Sequence, residues 1–451
     1  MIRLLIMITA AISAVAPQAL LSAAEQQLTH APHGHILTNT RVWSPDGRWI
    51  VYDVRSDEAG SLFDGTRIEA VNVDSGEVKL LYESKHGAHC GIATWHPREM
   101  KIVFVLGPEN PTPGWQYSAS HRQGVTVDFA QPGVAQNLDA CDLTPPFTAG
   151  SLRGGSHVHV WDAAGDWLSF TYNDALVESD LRDVCVAIPA RPVQVSKSQP
   201  RNHDGNYFCV LVTRTTPHPK PGSDEISRAC EEAWIGTNGY VRSDGTRQKR
   251  ALAFQGSVVT TNGETISEVF AADLPENLTQ PGDGPLAGTS ERRPYPPKGV
   301  TQRRLTFTAE RKFQGLQGPR HWLRGSPDGS RIAFLMKDDA GIVQFWTIST
   351  NGGTPVQLTH NPWPVAAAFS WSPDGRRLAC VMDNSVFVTD TATGQSRRVT
   401  ARTADVTAPR PEACVFSPDG NQIAFVRREQ TGDGEANQIC VVVLGTGAPA
   451  K

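Results

Sequence analysis

Four histidines and one glutamate occur at matching places in a repeated segment of this sequence. In each copy, a large apolar anchor residue precedes a tight turn, and these five residues lie two, four or six positions before an anchor. They are His89, His157, His159, His321 and Glu412. Side chains two residues apart on a strand point to one face, and imidazole and carboxylate groups suit divalent transition metals. The pattern predicts a manganese or zinc site.

These histidines also have a purely structural interpretation. A histidine on an inner strand can bond to a neighbouring backbone group or to water. In a ring of seven repeats, moreover, His157 and His321 would lie two repeats apart and need not reach one ion. Both interpretations stay open at this point. The metal interpretation would make the site that of an enzyme, with His89 or Arg41 available as a base.

The repeated segment is typical of short antiparallel hairpins. Four clear copies of the anchor and Ser-Pro-Asp-Gly turn begin at Trp43, Gly325, Trp371 and Phe416, and weaker copies begin at Trp95, Trp161 and Val241. Proline presets φ for a turn, aspartate bonds its own backbone, and glycine accepts positive φ. The aspartates are therefore expected to be turn residues and not metal ligands.

A tally of outer strands predicts how the repeats are arranged. Six anchors are followed by an outer strand, and the last is not. The predicted outer strands are 78–82, 136–138, 193–195, 304–306, 357–359 and 398–400. The missing strand is found at 27–29, before the first anchor. An N-terminal strand that completes the last repeat would close a ring and remove free sheet edges. We predict one seven-bladed β-propeller domain over residues 25–451, or six blades if the Val241 copy is not one.

Insertions widen the anchor spacing in blades 2 to 4, and long loops on a rigid scaffold commonly bind ligands. The insertion in blade 2 carries four residues that could stack on a sugar or clamp an acidic peptide: Trp115, Tyr117, His121 and Arg122. The alternative is that Trp115 only packs the loop onto the rim. Three further polar residues before anchors are candidate ligand contacts: Asn39, Arg41 and Arg410.

The first 24 residues have the layout of a secretory signal peptide. A positive start at Arg3 precedes an apolar run, and small residues precede a cleavage site between Ala24 and Glu25. The apolar run is shorter than the roughly 20 residues of a membrane span, so no membrane span is expected. The alternative is a buried N-terminal helix. The mature protein is expected to be periplasmic or secreted, and monomeric.

Charge and motif content exclude several functions. The net charge is −4 and there is no basic block, so nucleic acid is not an expected partner. No G-x-S-x-G motif or Walker-type glycine loop is present. Among the eight cysteines, Cys90, Cys141 and Cys230 have loop-like surroundings and are the better disulfide candidates. The other five have no such marker, and four of them lie in apolar runs that predict buried thiols.

The repeats resemble the propeller of TolB and related periplasmic proteins. Over nearly the whole mature chain, the sequence is similar to the YidR-like family. The segments that carry this similarity are residues 27–29, 38–39 with 43–47, 107–115 and 230–239. The H-x-H pair before Trp161 gives a fainter similarity to oligogalacturonate lyases. These are manganese-dependent propeller enzymes whose metal site includes an H-x-H pair just before a blade anchor. The resemblance implies an exported propeller that binds a ligand or protein partner at one face of the ring. The alternative that it implies is a metal-dependent lyase acting on acidic oligosaccharides.

Overall fold

The fold is built from antiparallel β-sheets. The structure is a computed structural model that describes residues 24–178, 180–318, 323–432 and 434–445. In that part of the chain, the only helical element is a short 3-10 turn, Asp405–Thr407. No helix there is both long and apolar enough to span a membrane. The predicted signal peptide falls outside the described residues, apart from Ala24.

The strands fall into seven four-stranded units within the described residues. The N-terminal strand is β1 (Glu25–Gln27). The first unit contains β2 (Gly34–Ile36), β3 (Trp49–Arg55), β4 (Arg67–Asn72) and β5 (Val78–Glu83). The second contains β6 (Cys90–Trp95), β7 (Lys101–Leu106), β8 (Gln123–Asp128) and β9 (Ala135–Asn137). The third contains β10 (Gly154–Trp161), β11 (Leu168–Asp174), β12 (Arg182–Ile188) and β13 (Phe208–Leu211).

The fourth unit contains an extra hairpin. Its main strands are β14 (Ile226–Trp234), β17 (Arg250–Val259), β18 (Thr265–Leu274) and β19 (Thr301–Arg304), and the hairpin is β15 (Tyr240–Val241) with β16 (Arg247–Gln248). A single parallel pair, Arg182 with Arg228, joins the third and fourth units into one eight-stranded sheet.

The last three units lack large insertions. The fifth contains β20 (Arg324–Gly325), β21 (Arg331–Lys337), β22 (Val343–Ser349) and β23 (Val356–Gln357). The sixth contains β24 (Ser370–Trp371), β25 (Arg377–Met382), β26 (Ser385–Asp390) and β27 (Ser396–Arg398). The seventh contains β28 (Cys414–Phe416), β29 (Gln422–Thr431) and β30 (Gly434–Val443), and β1 is its fourth strand.

The N-terminal strand pairs with the C-terminal one. Glu25 lies opposite Val442 and Gln27 opposite Cys440, and the Leu28 amide donates to the Ile439 carbonyl at 2.8 Å. Leu28 is 2% exposed and belongs to a core cluster that includes Val42 of the first unit. The first and last strands of the described chain therefore lie in one sheet.

The repeated turn forms as its residue types dictate. In the first copy, the Asp46 carboxylate accepts hydrogen bonds from the Ser44 hydroxyl and the Arg48 amide. Gly47 has a φ of 72°. The same serine–aspartate bond recurs in the three other clear copies. The prediction that these aspartates are turn residues is confirmed.

The anchor of the fourth unit is not where the sequence predicted it. The Trp43 and Trp371 indoles donate to inner-strand carbonyls of a neighbouring unit, and in the fourth unit Trp234 does so, reaching the Val160 carbonyl at 2.9 Å. Val241 instead lies in the inserted hairpin and is 48% exposed. The Val241 assignment was therefore wrong, because a local turn motif imitated an anchor.

Two other expectations are corrected. The outer strand of the third unit is β13, not 193–195, since Val193 forms only an isolated bridge with Gly205. All eight cysteines are buried free thiols. Cys90 and Cys230 lie within strands β6 and β14, so their surroundings are not the loops that the sequence suggested.

Candidate functional site

A central cavity of about 490 Å³ is lined by all seven units. Its wall consists mainly of the residues just before and after the seven anchor positions, and it includes prolines of the repeated turn, such as Pro45 and Pro327. Of the residues proposed from sequence, Asn39, Arg41 and His157 line it. Because every repeat contributes residues to the wall, the cavity depends on the packing of all seven units and not on one loop.

Three arginines give the cavity positive charge: Arg41, Arg182 and Arg324. Arg324 donates to the backbone carbonyls of Leu323 and, at 3.4 Å, Asn39. Burial lowers the pKa of all three, that of Arg324 to about 10. A guanidinium remains protonated at neutral pH after shifts of this kind. Within the described residues, neither Arg41 nor Arg182 forms an ion pair, and the buried Arg182 Nε has no hydrogen-bond partner.

Two glutamates, Glu231 and Glu232, line the cavity as well. They lie at an irregularity of β14, between Cys230 and Ala233, where Glu231 takes a φ of 56°. Burial raises the pKa of Glu232 to about 8, so its carboxyl is mostly protonated at neutral pH. Its Oε1 is buried without a partner. Three cations therefore face at most one full carboxylate charge, and the cavity suits an anion.

The two histidines of the H-x-H pair do not share a face. His157 lies opposite Thr171 and Val160 opposite Ser169, so β10 carries a bulge between them, with Val158 at a φ of 58°. A bulge interrupts the strand's alternation. As a result His157 lines the cavity, while His159 does not and is fully buried with its ring 5.0 Å from that of Phe170. Burial lowers the pKa of His159 to about 3.

The remaining predicted metal ligands do not come together either. His89 lines a separate cavity of about 300 Å³, and its Nδ1 lies 3.0 Å from the Asp64 carbonyl oxygen. Glu412 pairs with Arg410 at 3.7 Å, and neither lines the central cavity. His321 lies outside the described residues. The expected convergence is thus corrected: of the predicted metal set in the described chain, only His157 reaches the cavity.

The blade 2 loop holds its aromatic residues against its own surroundings. Trp115 stacks on His121 with centroids 3.7 Å apart, and Tyr117 stacks on Phe63 at 4.4 Å. Arg122 donates to the Tyr117 hydroxyl at 3.2 Å. The structure therefore favours the alternative in which these side chains pack the loop, although Tyr117 also lines the His89 cavity.

Sequence reasoning missed Arg182, Glu232 and Arg324. Glu232 is two residues before Trp234, so it would have been found if that tryptophan had been taken as the anchor. Arg324 directly precedes the Gly325 anchor, so it falls outside the pattern of residues two, four or six positions before an anchor. Arg182 begins the third strand of its unit, β12, and no feature of the sequence directs that position toward the cavity.

Comparisons with known proteins give the family and the fold. Residues 89–203 match a family described as a protein of unknown function, DUF3748, and residues 343–434 match the N-terminal region of dipeptidyl peptidase IV. An oligogalacturonate lyase in complex with manganese aligns with a TM-score of 0.55 at 12% identity, covering 94% of each chain. TolB from Acinetobacter baumannii aligns with a TM-score of 0.37 at 13% identity, over 89% of this chain and 82% of that one.

The full-length relative is more informative. The chain is 47% identical over 416 residues to the uncharacterized protein YidR of Escherichia coli (strain K12), covering 90% of this chain and 96% of the relative. The resemblance seen in residues 27–29, 38–39, 43–47, 107–115 and 230–239 therefore extends over 90% of the chain. The chain belongs to the YidR family.

Proposed function

We propose that this chain is an exported, closed seven-bladed propeller that binds an anionic ligand in its central cavity. The observation that carries the proposal is that Arg41 and Arg182 line a 490 Å³ cavity without forming an ion pair in the described chain. Both arginines are partly buried, and a charge held largely out of water normally has a counter-charge. The bound ligand would supply it.

Strand pairing supports the closed seven-bladed arrangement. Seven antiparallel units line one cavity, and β1 pairs with β30 in a continuous register. A ring in which the first strand completes the last blade leaves only short, protected sheet edges. The same pairing fits export, because β1 begins at Glu25 and cleavage after Ala24 would leave the strand intact. Mature, monomeric protein in the periplasm is part of this proposal.

Carboxylates on a chain of sugars are the ligand class that we favour. A guanidinium binds a carboxylate through two parallel hydrogen bonds, and Arg41 and Arg182 could engage one or two such groups. Protonated Glu232 can donate a hydrogen bond to a hydroxyl or carboxylate oxygen. The structurally similar lyase is named for oligogalacturonate, which carries carboxylates. We propose an acidic oligosaccharide as the ligand.

Calorimetry with matched sugars tests this proposal. Mature protein, residues 25–451, would be titrated with trigalacturonate and with an uncharged trisaccharide. We expect binding of the acidic sugar only, weakened at least about tenfold by Arg182→Gln, since a hydrogen bond to a charged group contributes about 1.5–3 kcal/mol. Arg48→Gln, at an exposed position away from the cavity, should bind like the wild type. Equal binding of both sugars, or equal affinity in the two variants, would contradict the proposal.

A metal-dependent lyase is the second candidate, favoured by His157 in the cavity wall. Ultraviolet absorbance in the same samples, with and without Mn²⁺, distinguishes it from a binding protein. An unsaturated product that forms only with the metal, and is lost in His157→Ala, would establish lyase activity. Binding without product would leave the protein as a carbohydrate-binding propeller.

A further inference from the structure

Outside the central cavity, His33, His35 and Glu69 form a cluster with the spacing of metal ligands. One ligand atom from each residue lies within 4.8 Å of the others, and no other group of three or more histidines, cysteines or acidic residues in the described chain does so. His35 is 1% exposed and Glu69 4% exposed, while His33 is half-buried. None of the three lines the central cavity.

Regular strand geometry brings the three residues together. His33 and His35 flank Gly34, the first residue of β2, and side chains two apart on a strand share a face. Their rings lie 4.8 Å apart. Glu69 lies on β4, directly opposite Tyr52 of β3. No bulge interrupts the pairing of β2 with β3 or of β3 with β4, so this cluster keeps the alternation that the H-x-H pair of β10 loses.

Both histidines present an unsatisfied nitrogen. The Nε2 atoms of His33 and His35 are buried and have no hydrogen-bond partner. Buried polar atoms in native proteins are almost always paired. His35 interacts with the Gln438 side chain, and a cation coordinated by both Nε2 atoms and the Glu69 carboxylate would satisfy the two histidines together.

The groups around the cluster are arranged to orient such ligands. His35 Nδ1 lies 3.2 Å from the Thr29 hydroxyl oxygen, which accepts a hydrogen bond from the Ile439 amide. An Nδ1–H donated to Thr29 leaves the Nε2 lone pair free for a metal. The Tyr52 hydroxyl donates to Glu69 Oε2 at 3.0 Å, and Arg67 pairs with Glu69 Oε1 at 3.3 Å. Partners of this kind fix the tautomer and direction of metal ligands.

We infer that His33, His35 and Glu69 bind one divalent transition-metal ion, with zinc favoured over manganese. Two imidazoles and a carboxylate form a known ligand set for such ions, and zinc binds nitrogen and oxygen donors more tightly than manganese does. Three protein ligands leave at least one coordination position for water. The Gln438 side chain of β30 donates to the His33 carbonyl at 3.3 Å and to that of Ala31 at 2.8 Å. The ion therefore lies beside β30, at the segment that joins β1 to β2, and stabilises the contact between the last strand and the first unit.

Metal analysis and calorimetry on the mature protein test this inference. After removal of metal with a chelator, Zn²⁺ and Mn²⁺ are titrated separately into wild type, His33→Ala and Glu69→Gln, with His218→Ala as a control at an exposed histidine. We expect one Zn²⁺ per chain in wild type and control, and affinity reduced more than about a hundredfold in the other two, since loss of an outer partner alone costs about 10–100-fold.

A melting curve of each metal-free protein shows whether the variant is folded. Wild type, His33→Ala and Glu69→Gln should then unfold cooperatively, and only wild type and the His218→Ala control should gain melting temperature when Zn²⁺ is added. No zinc binding by wild type would overturn the inference. Zinc binding of wild-type affinity in both His33→Ala and Glu69→Gln would overturn it equally.

Discussion

Replacing Leu28 by alanine tests whether the N-terminal strand is part of the cooperative fold. Leu28 is 2% exposed and packs with Val42 of the first unit and Val441 of the last. The substitution removes three carbon atoms, worth about 2.4 kcal/mol at roughly 0.8 kcal/mol per buried CH₂. A residual cavity adds to this, within the range of about 2–5 kcal/mol known for such changes. We expect the free energy of unfolding to fall by about 3 kcal/mol.

Urea unfolding followed by tryptophan fluorescence measures this change. Leu80→Ala is the control, since Leu80 lies on the outer strand β5 and is 36% exposed. That variant should stay within about 0.5 kcal/mol of wild type. If Leu28→Ala is equally mild, β1 adds no stability to the last unit and the closed ring is refuted. A changed slope with denaturant would instead indicate that unfolding is no longer two-state.

Three further predictions concern buried charge, packing and export. Burial raises the pKa of Glu232 to about 8, so the folded protein keeps a proton that the unfolded chain releases. The stability that this difference in pKa contributes is complete below about pH 4.5 and is lost as the pH rises through about 8. The free energy of unfolding of Glu232→Gln, measured with urea, should therefore fall less than that of wild type over this pH range. The same pH dependence in both proteins would contradict the raised pKa. Gly124→Ala would place a Cβ 2.5 Å from His159 Nε2 and should cost about 1–3 kcal/mol by the same unfolding assay, whereas Gly114→Ala, with open space around it, should cost little; equal effects would refute the packing described. Mass spectrometry of protein from a periplasmic fraction should give a chain that begins at Glu25, and an intact N-terminus would disprove cleavage there.

The repeat could be predicted from sequence because its physics is local. The anchors at Trp43 and Trp371 and the turns after them follow from residue type alone. The tally of outer strands predicted an N-terminal strand at 27–29, and β1 lies slightly earlier, at Glu25–Gln27. Tertiary context defeated the same reasoning at Val241. Val241 is followed by the turn residues that follow an anchor. The side chain that bonds to the third unit is nevertheless Trp234, which donates to the Val160 carbonyl, and no local sequence pattern reveals that contact.

The candidate site was predicted only in part, for a different physical reason. Asn39, Arg41 and His157 reach the cavity as expected, because they lie near anchors in the wall that every unit contributes. His159 does not, because alternation was assumed to continue through Val158, where a positive φ and a bulge interrupt it. Such a bulge has no marker in the sequence when the residue at positive φ is valine.

We propose that Arg41 and Arg182, which form no ion pair within the described residues, bind an anion in the central cavity. A crystal structure of the mature protein with trigalacturonate tests it most directly. We predict a uronate carboxylate within hydrogen-bond distance of Arg41 and Arg182. Sugar density confined to the loop around Trp115, or a cavity in which both arginines pair with carboxylates of the protein itself, would contradict the claim.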